Sequence, residues 1–160
     1  MSRAYIGLGS NLDNPPNQIA RALDQIAQLP NSHLLACSPL YKSRAVGPAN
    51  QPDYINAVVL IDTQLPPLNL LDHLQSIEAA HQRVRVEHWG PRTLDLDILL
   101  LDNHFINLDR LKVPHPYLQQ RNFVLYPLAD IAPDLILPDG TSLQDLLANS
   151  SQSGLERLKN

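Results

Sequence analysis

The chain has 160 residues, 44% of them hydrophobic, one cysteine and a formal net charge of -4. That length supports one domain, residues 1–160, with a substantial core. The lone cysteine excludes an internal disulfide, and the acidic balance argues against a nucleic-acid binder. No apolar run approaches the roughly 20 residues needed to span a bilayer, and no basic region followed by an apolar signal core opens the chain, so a cytoplasmic protein without membrane association is expected.

Ala4 to Leu8 reads as a first strand, and Gly7-Leu8-Gly9 at its end as a tight strand-to-helix turn. The glycine pair lacks the third glycine of a dinucleotide loop and the Lys-Ser/Thr of a P-loop. Asn14 is placed to cap a helix opening on Pro15 and Pro16, with Ile19, Leu23, Ile26 and Ala27 as its buried face. Segments from about His33 to Lys42 and from Tyr54 to Ile61 suggest a strand pair, joined by a long loop that holds Gly47, Pro48 and Pro52. Between apolar neighbours, Cys37 is expected to be a buried, reduced thiol.

After Pro66-Pro67 a second helix turns Leu70, Leu71, Leu74 and Ile77 inward, while Gln75, Glu78, Gln82 and Arg85 recur along another face. Short pieces follow the next strand around Phe105 to Leu111, then helical turns from Tyr117 to Leu128 and a short helix from Thr141 to Leu147, capped by Thr141 or Ser142. The residues from about 150 read as a weakly ordered tail. The order strand, helix, strand pair, helix, strand defines an α+β protein with a ferredoxin-like core, and right-handed crossovers place both main helices on one sheet face.

The chemistry concentrates in His88-Trp89-Gly90-Pro91-Arg92-Thr93-Leu94-Asp95-Leu96-Asp97-Ile98-Leu99. This run is a buried strand by its length and flanking turn signals, so Asp95 and Asp97 share one face while Leu94, Leu96 and Ile98 take the other. Adjacent acids repel unless a cation lies between them, and one or two carboxylates completed by water and phosphates suit Mg²⁺. Six of the 12 Lys and Arg residues, Arg83, Arg85, Arg92, Arg110, Lys112 and Arg121, lie in a quarter of the chain around these acids. A focused positive pocket on an acidic protein fits a small phosphorylated ligand. The alternative is an ion-paired sheet end.

The segment from His88 to Leu99 resembles the signature of the 6-hydroxymethyl-7,8-dihydropterin pyrophosphokinase family. The likeness extends through Tyr5-Ile6-Gly7-Leu8-Gly9-Ser10-Asn11, Gly47-Pro48, Gln51-Pro52-Asp53-Tyr54-Ile55-Asn56-Ala57, Arg83-Val84-Arg85, Val113-Pro114-His115, Ile131-Ala132-Pro133-Asp134 and Pro138-Asp139-Gly140. The resemblance implies an antiparallel sheet sandwiched by helices, a three-layer α-β-α arrangement. It also implies transfer of pyrophosphate from ATP to the hydroxymethyl oxygen of 6-hydroxymethyl-7,8-dihydropterin, with AMP released, in tetrahydrofolate biosynthesis.

In that scheme Asp95 and Asp97 hold Mg²⁺, two ions being the family expectation, and Arg83, Arg85 and Arg92 neutralise charge on the transferred phosphates. Gln75, Glu78, Trp89, Ile98, His115 and Arg121 serve the nucleotide. By spacing alone, Gln75 and Glu78 are equally a solvent-facing stripe, Trp89 a structural plug and His115 a loop residue. Tyr54 and Asn56, two apart on a strand, offer an aromatic surface and a bidentate amide to a flat ring. Phe123 supplies the opposite ring face, and backbone near Ser43 and Val46 reads the remaining edge. Residues Arg83 to Arg92 form the lid. His88 and Pro116 depart from residues found in some members, and no general base is assigned. A metal-dependent phosphohydrolase and an inactive ligand sensor are the rival readings, and a monomer is expected.

Overall fold

The computed structural model describes residues 1–44, 52–81 and 93–158. Five long or medium elements build the core: β1 (Ser2–Ser10), α1 (Pro15–Ala27), β2 (Ser32–Cys37), then β3 (Tyr41–Ser43) and β4 (Tyr54–Thr63). The chain continues through α2 (Pro67–His81), β5 (Asp95–Leu101), the small hairpin β6 (Ile106–Asn107) and β7 (Lys112–Val113), a 3-10 turn (Leu118–Gln120), α3 (Asn122–Ile131), α4 (Leu143–Ala148) and β8 (Leu155–Arg157). The main sheet runs β5-β1-β4-β3-β8, and β2 joins β4 on the same side as β3. All its pairings are antiparallel. This is the expected ferredoxin-like α+β fold, with the strand segment read as one piece broken at Ser38-Pro39-Leu40 into β2 and β3. Ser38 stitches that break to β4: its N–H donates to the Val58 carbonyl at 2.9 Å, and its Oγ accepts from the Val58 N–H at 2.9 Å.

Alternation along the strands separates two cores. Ala4, Ile6 and Leu8 of β1, Ala57, Val59 and Ile61 of β4, and Leu96 and Ile98 of β5 pack with Ile19, Ala22 and Ile26 of α1 and Leu70, Leu74 and Ile77 of α2. On the other face, Val58, Leu99 and Leu100 pack with Val124, Leu125 and Leu128 of α3 and Leu143 of α4. Burying each Val, Leu or Ile side chain among them contributes about 1.5–3 kcal/mol, so the layers hold without a disulfide. The pairing slips twice among the described residues: between Leu34 and Ala36 in β2–β4, and between Tyr5 and Ile6 in β1–β5, where the bulge turns both Leu99 and Leu100 toward α3.

Local chemistry differs from the sequence expectation at four points. Asn14 bends the chain into α1 in the left-handed conformation (φ 63°) and makes no side-chain cap; its carbonyl accepts from Asn17 and Gln18 N–H instead. Ala22 rather than Ala27 lies on the buried face of α1. Cys37 is exposed, because β2 has one strand neighbour among the described residues and its outer face meets solvent. The segment from about 150, expected to be weakly ordered, carries β8, which pairs with β3 from Tyr41↔Arg157 to Ser43↔Leu155. Ser142 does cap α4, its Oγ accepting from the Asp145 N–H at 3.4 Å.

One buried polar cluster locks the two helices of the first core together. His81, 6% exposed at the end of α2, sets Nδ1 2.5 Å from Gln18 Oε1 and Nε2 2.6 Å from the Gln25 amide oxygen, both residues of α1. Gln18 Nε2 donates to the Asp13 carbonyl at 2.8 Å, which orients its oxygen to accept from a protonated His81 Nδ1. Burial, with the Arg21 charge nearby, lowers the His81 pKa below its ordinary 6.5. The unfolded chain therefore binds this proton more readily, so stability is full above the unfolded pKa and falls as pH drops through it. His115 is shifted in the same direction. Urea unfolding between about pH 8 and pH 5 is expected to show stability declining on the acid side, with His81→Gln flattening part of that decline. His81→Ala is expected to cost about 1–3 kcal/mol near neutral pH, from the stranded Gln18 oxygen. An unchanged acid slope in His81→Gln would contradict the assignment.

Candidate active site

Gly7 and Gly9 face the α3 side of β1, between the two strands that carry the polar residues. Gly9 pairs with Asn56 of β4 on one side and Asp95 of β5 on the other, and Gly7 pairs with Asp97. A Cβ on Gly9 would lie 3.3 Å from Asn56 Oδ1 and 3.7 Å from Tyr54 Cδ1, and one on Gly7 would lie 3.4 Å from Leu99 Cδ2. These are glycines because neighbouring side chains lean across them, not because the backbone turns there. The tight turn expected at Gly7-Leu8-Gly9 comes later, at Asp13 and Asn14, both with positive φ. The bare backbone of β1 joins the Tyr54–Asn56 wall to the Asp95–Asp97 pair as the floor of one cleft of about 760 Å³.

The cleft gathers Ser43, Tyr54, Asn56, Asp95, Asp97, His115, Arg121 and Phe123 from the residues singled out in sequence. Asn56 is 5% exposed and its Nδ2 donates to Ser43 Oγ at 2.7 Å, so the amide is held in one orientation across the β3–β4 pair. Asn11 Nδ2 donates to the Pro52 carbonyl at 3.0 Å and ties the end of β1 to the approach to β4. Opposite, the Arg121 guanidinium carbon sits 5.2 Å from the Tyr117 ring centre and 5.5 Å from that of Phe123, a cation held against two aromatic faces.

His115 stands beside the acids. Its N–H donates to the Leu99 carbonyl at 2.9 Å, which fixes it against β5, and its Nε2 lies 3.9 Å from Asp97 Oδ2. The Tyr117 N–H donates to His115 Nδ1 at 3.2 Å, so the neutral ring carries its proton on Nε2, toward Asp97 and the cleft. Burial first, and then the Arg121 charge, lower the His115 pKa below 6.5. At neutral pH this residue is an uncharged N–H donor.

Three residues singled out for the nucleotide lie outside that cleft's lining. Glu78 Oε2 accepts from the Leu96 N–H at 2.9 Å, satisfying a backbone donor of edge strand β5. Gln75 is exposed on α2 and accepts from Arg110 Nη2 at 3.1 Å, while the same guanidinium is paired with Asp72. Ile98 is buried in the core beneath α1 and α2. Val46, Arg83, Arg85, Trp89 and Arg92 lie outside the described residues. Gly7, Gly9 and Tyr117 line the cleft without having been singled out for it. The glycines could have been found from their phase, two and four residues after Tyr5 on the same strand face, whereas Tyr117 had no signal beyond its aromatic ring.

Two carboxylates on one strand face, lining one cleft with an aromatic ring and a fixed amide, are the equipment of a phosphoryl-transfer enzyme. The comparisons narrow that class. The family model for 7,8-dihydro-6-hydroxymethylpterin-pyrophosphokinase matches residues 5–133, and the chain belongs to that family. A relative from Pseudomonas aeruginosa, named 2-amino-4-hydroxy-6-hydroxymethyldihydropteridine pyrophosphokinase, is 56% identical over 158 residues, covering 99% of this chain and 98% of its own. One of the same name from Haemophilus influenzae is 52% identical over 147 residues, covering 92% of each. Among solved structures, Plasmodium falciparum HPPK-DHPS superposes with a TM-score of 0.74 at 13% identity over 98% of this chain; the chain spans 47% of that longer protein, and the likeness is one of fold.

The glycine floor makes a direct prediction. Gly9→Ala is expected to fold but to weaken pterin binding about tenfold, because its Cβ must displace the Asn56 amide by a few tenths of an ångström. Fluorescence titration with 6-hydroxymethylpterin measures this, and wild-type affinity in the variant would mean the amide is not a ring contact.

Proposed function

We propose that the cleft is divided between two substrates, with the pterin on the β4 side and the phosphates of ATP on the β5 side. The chain is an ATP-dependent pyrophosphokinase of folate biosynthesis, acting on ATP and 6-hydroxymethyl-7,8-dihydropterin. The single observation that supports the division is the register at Gly9, which pairs with Asn56 of β4 on one side and Asp95 of β5 on the other within one cleft. In the transfer, the hydroxymethyl oxygen forms a bond to the β-phosphorus of ATP and gives up its proton to solvent, the bond from that phosphorus to the α-phosphate bridging oxygen breaks with its electron pair going to that oxygen, and AMP leaves.

The pterin ring lies between Tyr54 and Phe123. Asn56, locked by Ser43, exchanges hydrogen bonds with the ring's amide-like edge, and backbone near Ser43 and Val46 reads the rest. This orientation aims the hydroxymethyl group across the glycines toward Asp95 and Asp97. The two carboxylates fit Mg²⁺ by donor chemistry, hard oxygens from one face with open backbone beside them for water and phosphate oxygens. Two Mg²⁺ ions are assigned there, and when bound they supply charge neutralisation of the phosphates and a lowered pKa for the attacking alcohol.

The protein groups do the positioning. His115 donates its Nε2–H to a phosphate oxygen without adding a charge, and Arg121 adds one from its aromatic shelf. Arg83, Arg85 and Arg92 are assigned to the charge that gathers on the transferred group and on departing AMP, with Trp89 covering the nucleotide. Gln75, Glu78 and the backbone of Ile98, whose side chain stays in the core, are assigned to the nucleotide along the outer edge of β5. The proposal is for a monomeric, cytoplasmic enzyme; among the described residues no helix is long and apolar enough to cross a membrane.

Product analysis tests this. With ATP, Mg²⁺ and 6-hydroxymethyl-7,8-dihydropterin, AMP and pterin diphosphate are expected in equal amounts, and only in the complete mixture. Asp97→Asn is expected to reduce kcat by at least about 10²-fold while leaving pterin binding measurable. ADP with a pterin monophosphate, phosphate release without pterin, or near-normal turnover in Asp97→Asn would each contradict the proposal.

A further inference from the structure

Two of the residues assigned to the pterin, Ser43 at its edge and Phe123 over its face, sit on elements that have no strand or helix hydrogen bonds to each other, β3 and the first turn of α3. The far end of α3 is tied to β3 by the Tyr41 hydroxyl, which donates to Asp130. The near end, where Phe123 and Arg121 lie, is held differently. Arg121 makes no side-chain cap, and residue 127 is a proline, so the Phe123 carbonyl lacks the usual helical donor four residues on. The Arg121 carbonyl accepts from Val124 and Leu125 N–H at 3.0 Å each and closes that turn from within.

Asn122 supplies a hold from outside. Its Nδ2 donates to the Ser151 carbonyl at 2.8 Å and to the Ser153 carbonyl at 3.2 Å. Ser153 N–H in turn donates to Ser151 Oγ at 3.0 Å, which keeps the two carbonyls converging. Gly154, at φ 74°, reverses the chain immediately afterwards into β8, where the Arg44 N–H donates to the Gly154 carbonyl at 3.2 Å and the Leu158 N–H to the Leu40 carbonyl at 2.8 Å. One short segment thus grips β3 by its backbone and the start of α3 through one amide.

We propose that Asn122 is a positioning residue for the pterin site, setting the separation of the Phe123 and Ser43 walls by fastening the start of α3 to the carboxyl-terminal segment that pairs with β3. This rests on the assignment of the pterin to the cleft between Tyr54 and Phe123. Asn122 touches neither substrate. Asn122 adjoins both Arg121 and Phe123, but the Arg121 guanidinium has a second brace at the Tyr117 ring outside α3 whereas Phe123 moves with the turn, so the effect falls more on the pterin than on ATP.

The test compares Asn122→Asp, which keeps the shape but replaces the donor with an acceptor facing two carbonyls, with Asn122→Ala. Gly154→Ala strains the same clip from its other end. All three are expected to raise KM for 6-hydroxymethyl-7,8-dihydropterin about three- to tenfold, with KM for ATP changed less than about twofold; the thermal midpoint is expected to stay nearly unchanged in the two Asn122 variants, as suits solvent-exposed hydrogen bonds, and to fall by a few degrees in Gly154→Ala, whose positive φ disfavours a Cβ. Asn56→Ala is measured alongside. Unchanged pterin KM in the Asn122 variants beside a raised one in Asn56→Ala overturns this inference alone, whereas no change in any variant overturns the site assignment with it. Equal rises in both KM values with a lowered midpoint would show general loosening and also overturn it.

Discussion

Strand β1 has to satisfy two demands that conflict in most sheets: it must hydrogen-bond to a neighbour along both edges, and at Gly7 and Gly9 it must present no side chain of its own toward the cleft. The first demand makes it the centre of the ferredoxin-like core, with β4 on one side and β5 on the other. The second is met by Gly7 and Gly9, which leave the space above the strand to side chains from its two neighbours. Leu8 between them still points into the core beneath α1 and α2. Glycine in a strand interior weakens it through backbone entropy and lost packing, a cost this strand offsets by full pairing on both edges.

Everything polar in the cleft is then arranged by the packing beneath it. Asn56 is fixed by Ser43 because β3 pairs with β4 at that register, and His115 stands by Asp97 because its backbone is bonded to Leu99 of the same strand. The layered charge follows from the same economy. A chain of net charge -4 places two acids on an open strand face, then sets a neutral histidine and a ring-stacked arginine beside them, so anionic ligands meet a locally balanced surface.

Much of this was legible in the sequence because it depends on period. The alternation through Asp95-Leu96-Asp97-Ile98 gave the face of the acids, and the same period paired Tyr54 with Asn56. The inward residues of α2 followed from helical spacing. What was not legible depends on contacts between distant segments. Gly7 and Gly9 carry a signal of tight turning as much as of close approach, and only the Asn56 and Tyr54 side chains across the strand decide between them. Cys37 looked buried by its neighbours, yet its exposure depends on β2 having one strand partner. The carboxyl-terminal residues lack apolar periodicity, so their pairing with β3 and their grip on Asn122 had no local trace. His81 carried no local signal either, since its partners Gln18 and Gln25 reach it from α1.

The account's central claim is that one glycine-floored surface holds the ring and the phosphates together. A crystal structure with 6-hydroxymethyl-7,8-dihydropterin, Mg²⁺ and a non-hydrolysable ATP analogue tests it most directly. The account predicts the pterin between Tyr54 and Phe123, hydrogen-bonded to Asn56, with its hydroxymethyl group over Gly7 and Gly9 and facing phosphates at Asp95 and Asp97. A pterin bound elsewhere, or metal and phosphates away from those two carboxylates, would contradict it.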